Sequence, residues 1–384
     1  MKTVPRKGEE RDGRRAAQGE MSCRRSKGRA GVFALGASGV KARATERAEA
    51  FFRVRLASTV RFRIMTLMRS VSYIYETAKA AGRQPVSFEI FPPKGDLTLE
   101  AAHEVAAELA DLLPDFVSVT YSAGGSGNKQ ATAEVAAMIH DDFDIPTVAH
   151  LTCLGATEES ISHAIDDLKR KGIASVLALR GDRVPGAAPS EGEPFRFAKD
   201  LVMRLADEGF CVGAAAYPEG HIECTDFKAS VAHLRQKQDA GACFFVTQLF
   251  FDNAYYYRFR DAADAAGIDA PIACGVMPFL GKAQIQRMVF MCGASLPSPI
   301  IKLLAKYEDD PASLRAAGIE YACSQLVDLQ ESGADGLHVY TMNQPDIARA
   351  CTSALRASWR QPSSGGPGRA ARGEAGAEAS GGRA

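Results

Sequence analysis

The sequence predicts an α/β protein built as a (β/α)8 TIM barrel, with flexible extensions at its N and C termini. Between residues 69 and 358, eight short strand-like runs alternate strictly with segments of helical period. Strict alternation implies parallel strands joined by right-handed crossovers. Eight such units over about 275 residues fit a closed barrel better than an open sheet.

The eight runs are rich in β-branched and aromatic residues, and the segments between them are rich in alanine, leucine and charge. Two of the helical segments are followed by a glycine at a C-cap position, Gly172 and Gly241. The predicted strands cover residues 85–91, 116–122, 147–153, 175–181, 211–217, 244–250, 271–277 and 336–341.

The two ends of the chain differ from this body. Residues 1–68 are rich in arginine, glycine and alanine without a sustained hydrophobic period, and residues 359–384 are of low complexity. The N-terminal segment contains acidic residues, which transit peptides avoid, and it lacks the apolar core of a secretory signal. We interpret both ends as extensions of low order outside a catalytic barrel at 69–358. Initiation at Met65 or Met68 would make the first extension non-native.

Charge and cysteine content exclude several classes of protein. Residues 69–359 carry 25 Lys and Arg against 38 Asp and Glu, and such an acidic body argues against nucleic acid as the main partner. The nine cysteines form no CxxC pair, which favours reduced thiols in a cytoplasmic protein. No apolar run reaches the roughly 18 residues that span a bilayer. The sequence therefore predicts a soluble cytoplasmic protein.

Polar side chains are concentrated in the last third of nearly every predicted strand. In the first strand, Phe88 and Ile90 alternate with Glu89, so Glu89 faces away from the helix-packing side. The carboxyl ends of barrel strands form the mouth where barrel enzymes keep their chemistry. The other polar residues of this kind are Thr120, Tyr121, His150, Thr152, Arg180, Asp182, Tyr217, Glu219, Gln248 and Tyr340.

Glu89 is the most informative of these residues, because an unpaired buried carboxylate costs several kcal/mol. In an apolar mouth burial favours the protonated carboxyl, which makes Glu89 a candidate proton donor near neutral pH. The alternative is a structural salt bridge with Arg180. We expect no metal site, because His150 and His221 are isolated and no carboxylate cluster accompanies them. No predicted strand end carries the lysine that a Schiff base needs.

Seven motifs, in order and at their spacings, resemble the methylenetetrahydrofolate reductase family from about residue 72 to 357. They are VSFEIFPPK, FVSVTYSAGG, AHLTC, LALRGD, AAAYPEGH, VTQLFFD and HVYTMN. The resemblance implies a barrel that carries FAD. In this family NAD(P)H reduces the flavin, which then passes hydride to methylenetetrahydrofolate and yields methyltetrahydrofolate for methionine biosynthesis. The chain is similar to the short bacterial form, without a C-terminal regulatory domain.

The resemblance also implies roles for individual residues. Glu89 matches the general acid that protonates a ring nitrogen of the folate, and Asp182 matches a carboxylate that stabilises the cationic iminium. The implied substrate contacts are Glu89, Thr120, Asp182, Gln248, Gln284 and Tyr340. The implied FAD contacts are Thr120, His150, Arg180, Gly181, Asp182, Phe197, Ala198, Ala215, Tyr217, His221 and Lys237.

Four positions depart from the family pattern. Ser230 stands where relatives often have an acid near the cofactor, and Gln344 replaces a frequent arginine. Leu249 and Met288 replace positions that can be aromatic. We expect a homo-oligomer. Three alternatives stay open: a barrel subunit supplied with electrons by a partner protein, an FAD barrel of the proline dehydrogenase kind, and a non-catalytic folate-binding module.

Overall fold

The structure is a computed structural model that describes residues 68–93, 98–121, 129–182 and 194–360. Each of its eight strands pairs in parallel with the next, and the last pairs with the first. The predicted (β/α)8 barrel is confirmed. The strands are β1 Val86–Ile90, β2 Phe116–Val119, β3 Thr147–Thr152, β4 Ser175–Leu179, β5 Cys211–Ala216, β6 Ala242–Thr247, β7 Ile272–Val276 and β8 Gly336–Tyr340.

Eleven helices lie in the described ranges, and three of them separate β7 from β8. Gly172 and Gly241 follow helices with φ of +68° and +110°, a left-handed conformation that glycine adopts without strain. The helices are α1 Val71–Ala80, α2 Leu99–Ala110, α3 Lys129–Phe143, α4 Glu158–Arg170, α5 Ala198–Asp207, α6 Phe227–Asp239, α7 Asn253–Ala265, α8 Lys282–Cys292, α9 Ser298–Lys306, α10 Pro311–Glu331 and α11 Pro345–Arg360.

The apolar core has a layer outside the barrel and a layer inside it. Phe88 and Ile90 of β1 point outward into the layer that the helices cover. Inside the barrel, Phe116 and Phe244 pack in a cluster with Val71 and other residues of α1. Helix α1 therefore closes the N-terminal end of the barrel interior.

Strand β6 differs most from the prediction, because it begins at Ala242, two residues before the expected start. Its register against β5 shifts between Val212 and Gly213. The Phe244 ring fills the space beside Gly213, where a Cβ atom would lie 2.2 Å from the Phe244 Cζ atom. This close approach requires glycine at 213.

The predicted terminal extensions, 1–68 and 359–384, lie outside the described residues except for Met68, Trp359 and Arg360. That division of the chain stays a prediction. Among the helices of the described ranges, none combines the length and the hydropathy that crossing a bilayer requires.

Candidate active site at the barrel mouth

Glu89 lies inside the barrel one residue before the end of β1, on the face that the alternation predicts, with its side chain 17% exposed. Its Oε2 atom accepts a long hydrogen bond of 3.5 Å from the Ser118 hydroxyl. The same oxygen lies 3.5 Å from His338 Nε2 and 3.6 Å from His150 Nε2. The carboxyl therefore faces two imidazole rings and a hydroxyl group.

The structure reveals His338 and Ser87 as members of this group, which the sequence analysis did not identify. The Ser87 hydroxyl donates to the Leu337 carbonyl at 3.2 Å, and its oxygen lies 2.7 Å from His338 Nδ1. When the hydroxyl proton goes to the carbonyl, Nδ1–H of His338 donates to Ser87. In the neutral ring, Nε2 then presents a lone pair to Glu89. His338 is 0% exposed, so this proton arrangement is shielded from water.

His150 of β3 is buried, and its Nε2 atom faces the same Glu89 oxygen as His338 does. Burial lowers the pKa of His150 to about 4, although the charge of Glu89 opposes this effect. The ring is therefore neutral near neutral pH, and its contact with Glu89 is not an ion pair. Its Nε2 atom has no hydrogen-bond partner among the described residues. A buried nitrogen of this kind is available to a bound ligand.

Asn343 and Thr341 join the ends of β1 and β8 beside Glu89. The Asn343 side chain accepts from the Phe91 amide and donates to the Phe91 carbonyl, both at 2.9 Å. The Thr341 hydroxyl donates to the Glu89 carbonyl at 2.7 Å. Asn343 has φ of +55°, an uncommon value for a residue other than glycine. These bonds fix the backbone that carries the acid.

A groove with a cavity of about 270 Å³ opens between the ends of β4 and β5 and the helices α5 and α6. Seven of the residues implied as FAD contacts line it. They are Arg180, Phe197, Ala198, Ala215, Tyr217, His221 and Lys237. The structure thus brings most of the implied cofactor set together on one side of the mouth.

Arg180 pairs with Glu223 in this groove, and not with Glu89 as the structural alternative required. Its two terminal nitrogens donate to the two Glu223 oxygens at 2.6 and 2.8 Å. The next residue, Gly181, has φ of +89°, and a Cβ atom there would lie 3.2 Å from Thr152 Cβ. Glycine is needed for this turn, and it leaves the backbone open to close approach by a ligand.

Lys237 provides a second cation in the groove. Its Nζ atom donates to the Ala215 carbonyl at 2.7 Å and lies 5.3 Å from the centroid of the Tyr217 ring. Burial, and to a lesser extent the charge of Arg180, lowers the pKa of Lys237 to about 8. The ammonium group remains mostly protonated near neutral pH and is held in one position.

Asp182 and Thr120 lie at the rim outside the cavity lining. Asp182 is exposed, and its negative charge acts on Cys292 at the end of α8. Burial, with a contribution from Asp182, raises the pKa of the Cys292 thiol to about 11. The Thr120 amide donates to the Ile90 carbonyl at 2.9 Å, which places Thr120 beside the end of β1.

Three implied substrate residues lie on the β6–β8 side of the mouth. Tyr340 donates to the Thr247 carbonyl at 2.6 Å, and burial raises its pKa. The Gln248 side-chain oxygen accepts from the Leu249 amide at 2.9 Å. The Gln284 oxygen accepts from the Leu280 amide at 2.7 Å, and its nitrogen lies 3.0 Å from Met342 Sδ. Gln284 is thus already engaged by the protein.

Glu219, which follows β5, holds the segment just after α8 beside the mouth. Both Glu219 carboxylate oxygens accept from the Ser295 amide, at 3.0 and 3.1 Å. This contact gives Glu219 a structural role. Of the departures, Leu249 and Met288 pack in the apolar cluster of this region, and the Gln344 oxygen accepts from Arg315 at 2.7 Å. The Ser230 hydroxyl accepts from the His221 amide at 3.3 Å.

Comparison with known proteins identifies the family. The family model described as methylenetetrahydrofolate reductase matches residues 74–356. The chain is 35% identical over 280 residues to the 5,10-methylenetetrahydrofolate reductase of Pectobacterium carotovorum subsp. carotovorum, a match that covers 72% of this chain and 92% of that protein. The chain belongs to the methylenetetrahydrofolate reductase family.

Family members differ in how much of their length the chain matches. It covers 93% of the 5,10-methylenetetrahydrofolate reductase of Escherichia coli (strain K12), at 34% identity and over 72% of its own length. It covers 43% of Methylenetetrahydrofolate reductase 1 of Schizosaccharomyces pombe, at 36% identity over 67% of its own length. A solved structure supports the fold alone, with a TM-score of 0.53, 15% identity and coverage of 74% of this chain and 99% of the other. It is an uncharacterized protein from Clostridium thermocellum described as binding two copies of 5-methyl-5,6,7,8-tetrahydrofolic acid.

Proposed function

We propose that this protein reduces 5,10-methylenetetrahydrofolate to 5-methyltetrahydrofolate, with FAD as cofactor and NAD(P)H as electron donor. The observation that carries the proposal is the position of Glu89 beside His338 and His150 at the mouth of a barrel of this family. Family membership supports the reaction, and the mouth offers residues suited to it. The proposal includes a role in one-carbon metabolism.

The residues of the groove fit a flavin dinucleotide. Arg180, Lys237 and His221 place cationic or hydrogen-bonding groups along one cavity, which suits a pyrophosphate and a ribityl chain. Gly181 permits close approach of the backbone, and the unpartnered Nε2 of His150 can bond a polar ring atom. FAD bound there would supply transfer of hydride from the donor to the folate.

The protein's own contribution is proton delivery and charge stabilisation. Reduction requires one ring C–N bond of the folate to open, and protonation of that nitrogen assists the opening. Glu89 is placed to donate the proton to this nitrogen, and the Nε2 atom of His338 lies 3.5 Å from the same carboxyl. The cation that forms on the substrate is stabilised by the Asp182 carboxylate at the rim.

Replacing Glu89 with glutamine tests the acid directly. We expect Glu89→Gln to keep bound flavin and its reduction by NAD(P)H, because the amide preserves the shape of the side chain. The folate half-reaction should slow by about 10²–10⁴-fold, the usual contribution of a positioned general acid. Glu104→Gln, an exposed change on α2, serves as the matched control. Normal folate reduction by Glu89→Gln would refute the proposal.

The electron donor is tested by anaerobic stopped-flow mixing of the flavin-loaded protein with NADH and with NADPH. We expect at least one of them to bleach the flavin. Bleaching by dithionite but by neither nucleotide would instead favour the partner-supplied subunit.

A further inference from the structure

Two thiols lie in contact at the closed end of the barrel, far from the mouth. The Sγ atoms of Cys211 and Cys243 are 3.1 Å apart. Cys211 is the first residue of β5, and Cys243 is the second residue of β6, the neighbouring strand. The register shift between Val212 and Gly213 falls at this position, so the irregular pairing of the two strands accompanies the thiol contact.

Both thiols have further polar partners. Cys211 Sγ lies 3.0 Å from the Ser72 hydroxyl of α1, and Cys243 Sγ lies 3.3 Å from the Val212 carbonyl oxygen. Neither side chain is fully buried. Both thiols are thus partly exposed, unlike the buried thiol of Cys274 on β7.

The pair is separate from the proposed catalytic machinery. Tyr217 follows Cys211 by six positions, a rise of about 20 Å along an extended strand. The Ser72 hydroxyl and the α1 helix lie beside the thiols, on the side opposite to Glu89.

The surroundings favour a nucleophilic sulfur at Cys211. A hydrogen bond from the Cys243 thiol is the largest effect, and with the Ser72 hydroxyl it lowers the pKa of Cys211 to about 6 although burial opposes it. Thiolates, and not thiols, attack disulfides.

We propose that Cys211 and Cys243 form a reversible dithiol site that reacts with low-molecular-weight disulfides such as oxidised glutathione. The Cys211 thiolate attacks one sulfur, the S–S bond of the small disulfide breaks, and the departing thiolate takes up the proton that Cys211 lost. Cys243 then loses its proton and attacks the Cys211 sulfur, which releases the second small thiol. The protein gives up two electrons and two protons, and one small disulfide becomes two thiols.

The new bond would link β5 to β6 at the floor of the barrel and leave the mouth unchanged. We expect the oxidised protein to melt at a higher temperature, because a cross-link limits the conformations of the unfolded chain. Flavin content and folate reduction should be unaltered, since no residue of the mouth takes part.

The test uses the full-length protein, reduced and then incubated with excess oxidised glutathione. We expect two of the nine thiols to be lost, and a non-reducing tryptic map to show peptide 205–228 linked to peptide 238–258. The first peptide also contains Cys224, so Cys224→Ser is the matched control and should keep the link. Cys211→Ser should lose it.

Two results would overturn the proposal. One is persistence of the link in Cys211→Ser, which would assign it to Cys224. The other is a wild-type protein in which Cys211 and Cys243 stay reduced while other thiols react. The same map shows whether Cys323 and Cys351, whose Sγ atoms lie 3.9 Å apart, also become linked, which serves as an internal comparison.

Discussion

The Nε2 atom of His338 lies 3.5 Å from the Oε2 atom of Glu89, while the other ring nitrogen lies 2.7 Å from the Ser87 hydroxyl oxygen. Carboxyl, imidazole and hydroxyl thus follow one another from the mouth into the barrel. In the tautomer whose Nδ1–H donates to Ser87, the nitrogen that faces Glu89 can accept a proton or return one. His338 is a positioning residue in this arrangement, since it acts through Glu89.

We expect His338→Gln to slow the folate half-reaction at least about tenfold, because Glu89 loses the group that shares its proton. Flavin reduction by the donor should be unaffected, and the pH profile of the folate half-reaction should shift. Stopped-flow rates across a pH series measure both effects. His103→Gln, an exposed change on α2, is the control. An unchanged pH profile would mean that His338 only fills space.

Asp182→Asn should slow the folate half-reaction by about 100-fold, because the substrate cation loses a fixed negative charge. The same change should lower the pKa of Cys292, since Asp182 helps to raise it. Faster alkylation of Cys292, measured by mass spectrometry, would show that the charge was removed without unfolding. If Cys292 is alkylated faster but the rate of the folate half-reaction is unchanged, Asp182 has no electrostatic role in the reaction.

Lys237→Met should weaken retention of FAD, because the groove loses a buried cation next to Tyr217. Flavin content after gel filtration and the dissociation constant for added FAD are the measurements. Lys228→Met, on the exposed side of the same helix, should retain flavin normally. Equal retention by the two variants would place the cofactor away from Lys237.

The stability of the protein should depend on pH through His150. The folded pKa of about 4 lies below the ordinary value of 6.5, so the unfolded chain binds more protons between those values. The free energy of unfolding should therefore fall as pH decreases through this window, by up to about 1.4 kcal/mol per pH unit from this group. In His150→Gln, the free energy of unfolding from denaturant titrations should depend less steeply on pH. The same pH dependence in the wild-type protein and the variant would indicate that His150 titrates normally.

Removal of residues 1–64 should leave the melting temperature and the flavin content intact, in keeping with a barrel that begins after this segment. Removal of residues 1–80 is the matched comparison. It deletes α1, whose Val71 and Tyr75 pack against the interior of the barrel, and should cause a large loss of stability. Loss of folding in the shorter deletion would show that the N-terminal segment belongs to the fold.

Eight strand-like runs alternating with helical segments were enough to predict the barrel, and the alternation of polar and apolar residues in β1 predicted the orientation of Glu89. Each strand is buried on its outer face. A shift of one residue in its pairing register would exchange the two faces, so the pattern leaves little freedom in the register. The start of β6 was not predicted because Ala242 and Cys243 carry weak strand signals and the register is irregular there.

The partners of the site residues were harder to predict. His338 lies in the middle of a short strand, where a histidine is more often a core residue, and its role depends on Ser87 some 251 residues earlier. Arg180 pairs with Glu223, which lies in a loop with no local signal for the contact. Such pairings depend on how separate loops meet in space, which no local pattern in the chain encodes.

Closure of the sheet by the pairing of β8 with β1 restricts how copies of this chain can associate. Every strand of the ring exchanges main-chain hydrogen bonds with two neighbours, so none of the described strands offers a free edge to a second copy. Self-association through the described part of the barrel therefore relies on complementary side chains of the surrounding helices and loops. Its affinity would respond to single surface substitutions more than to changes in strand propensity.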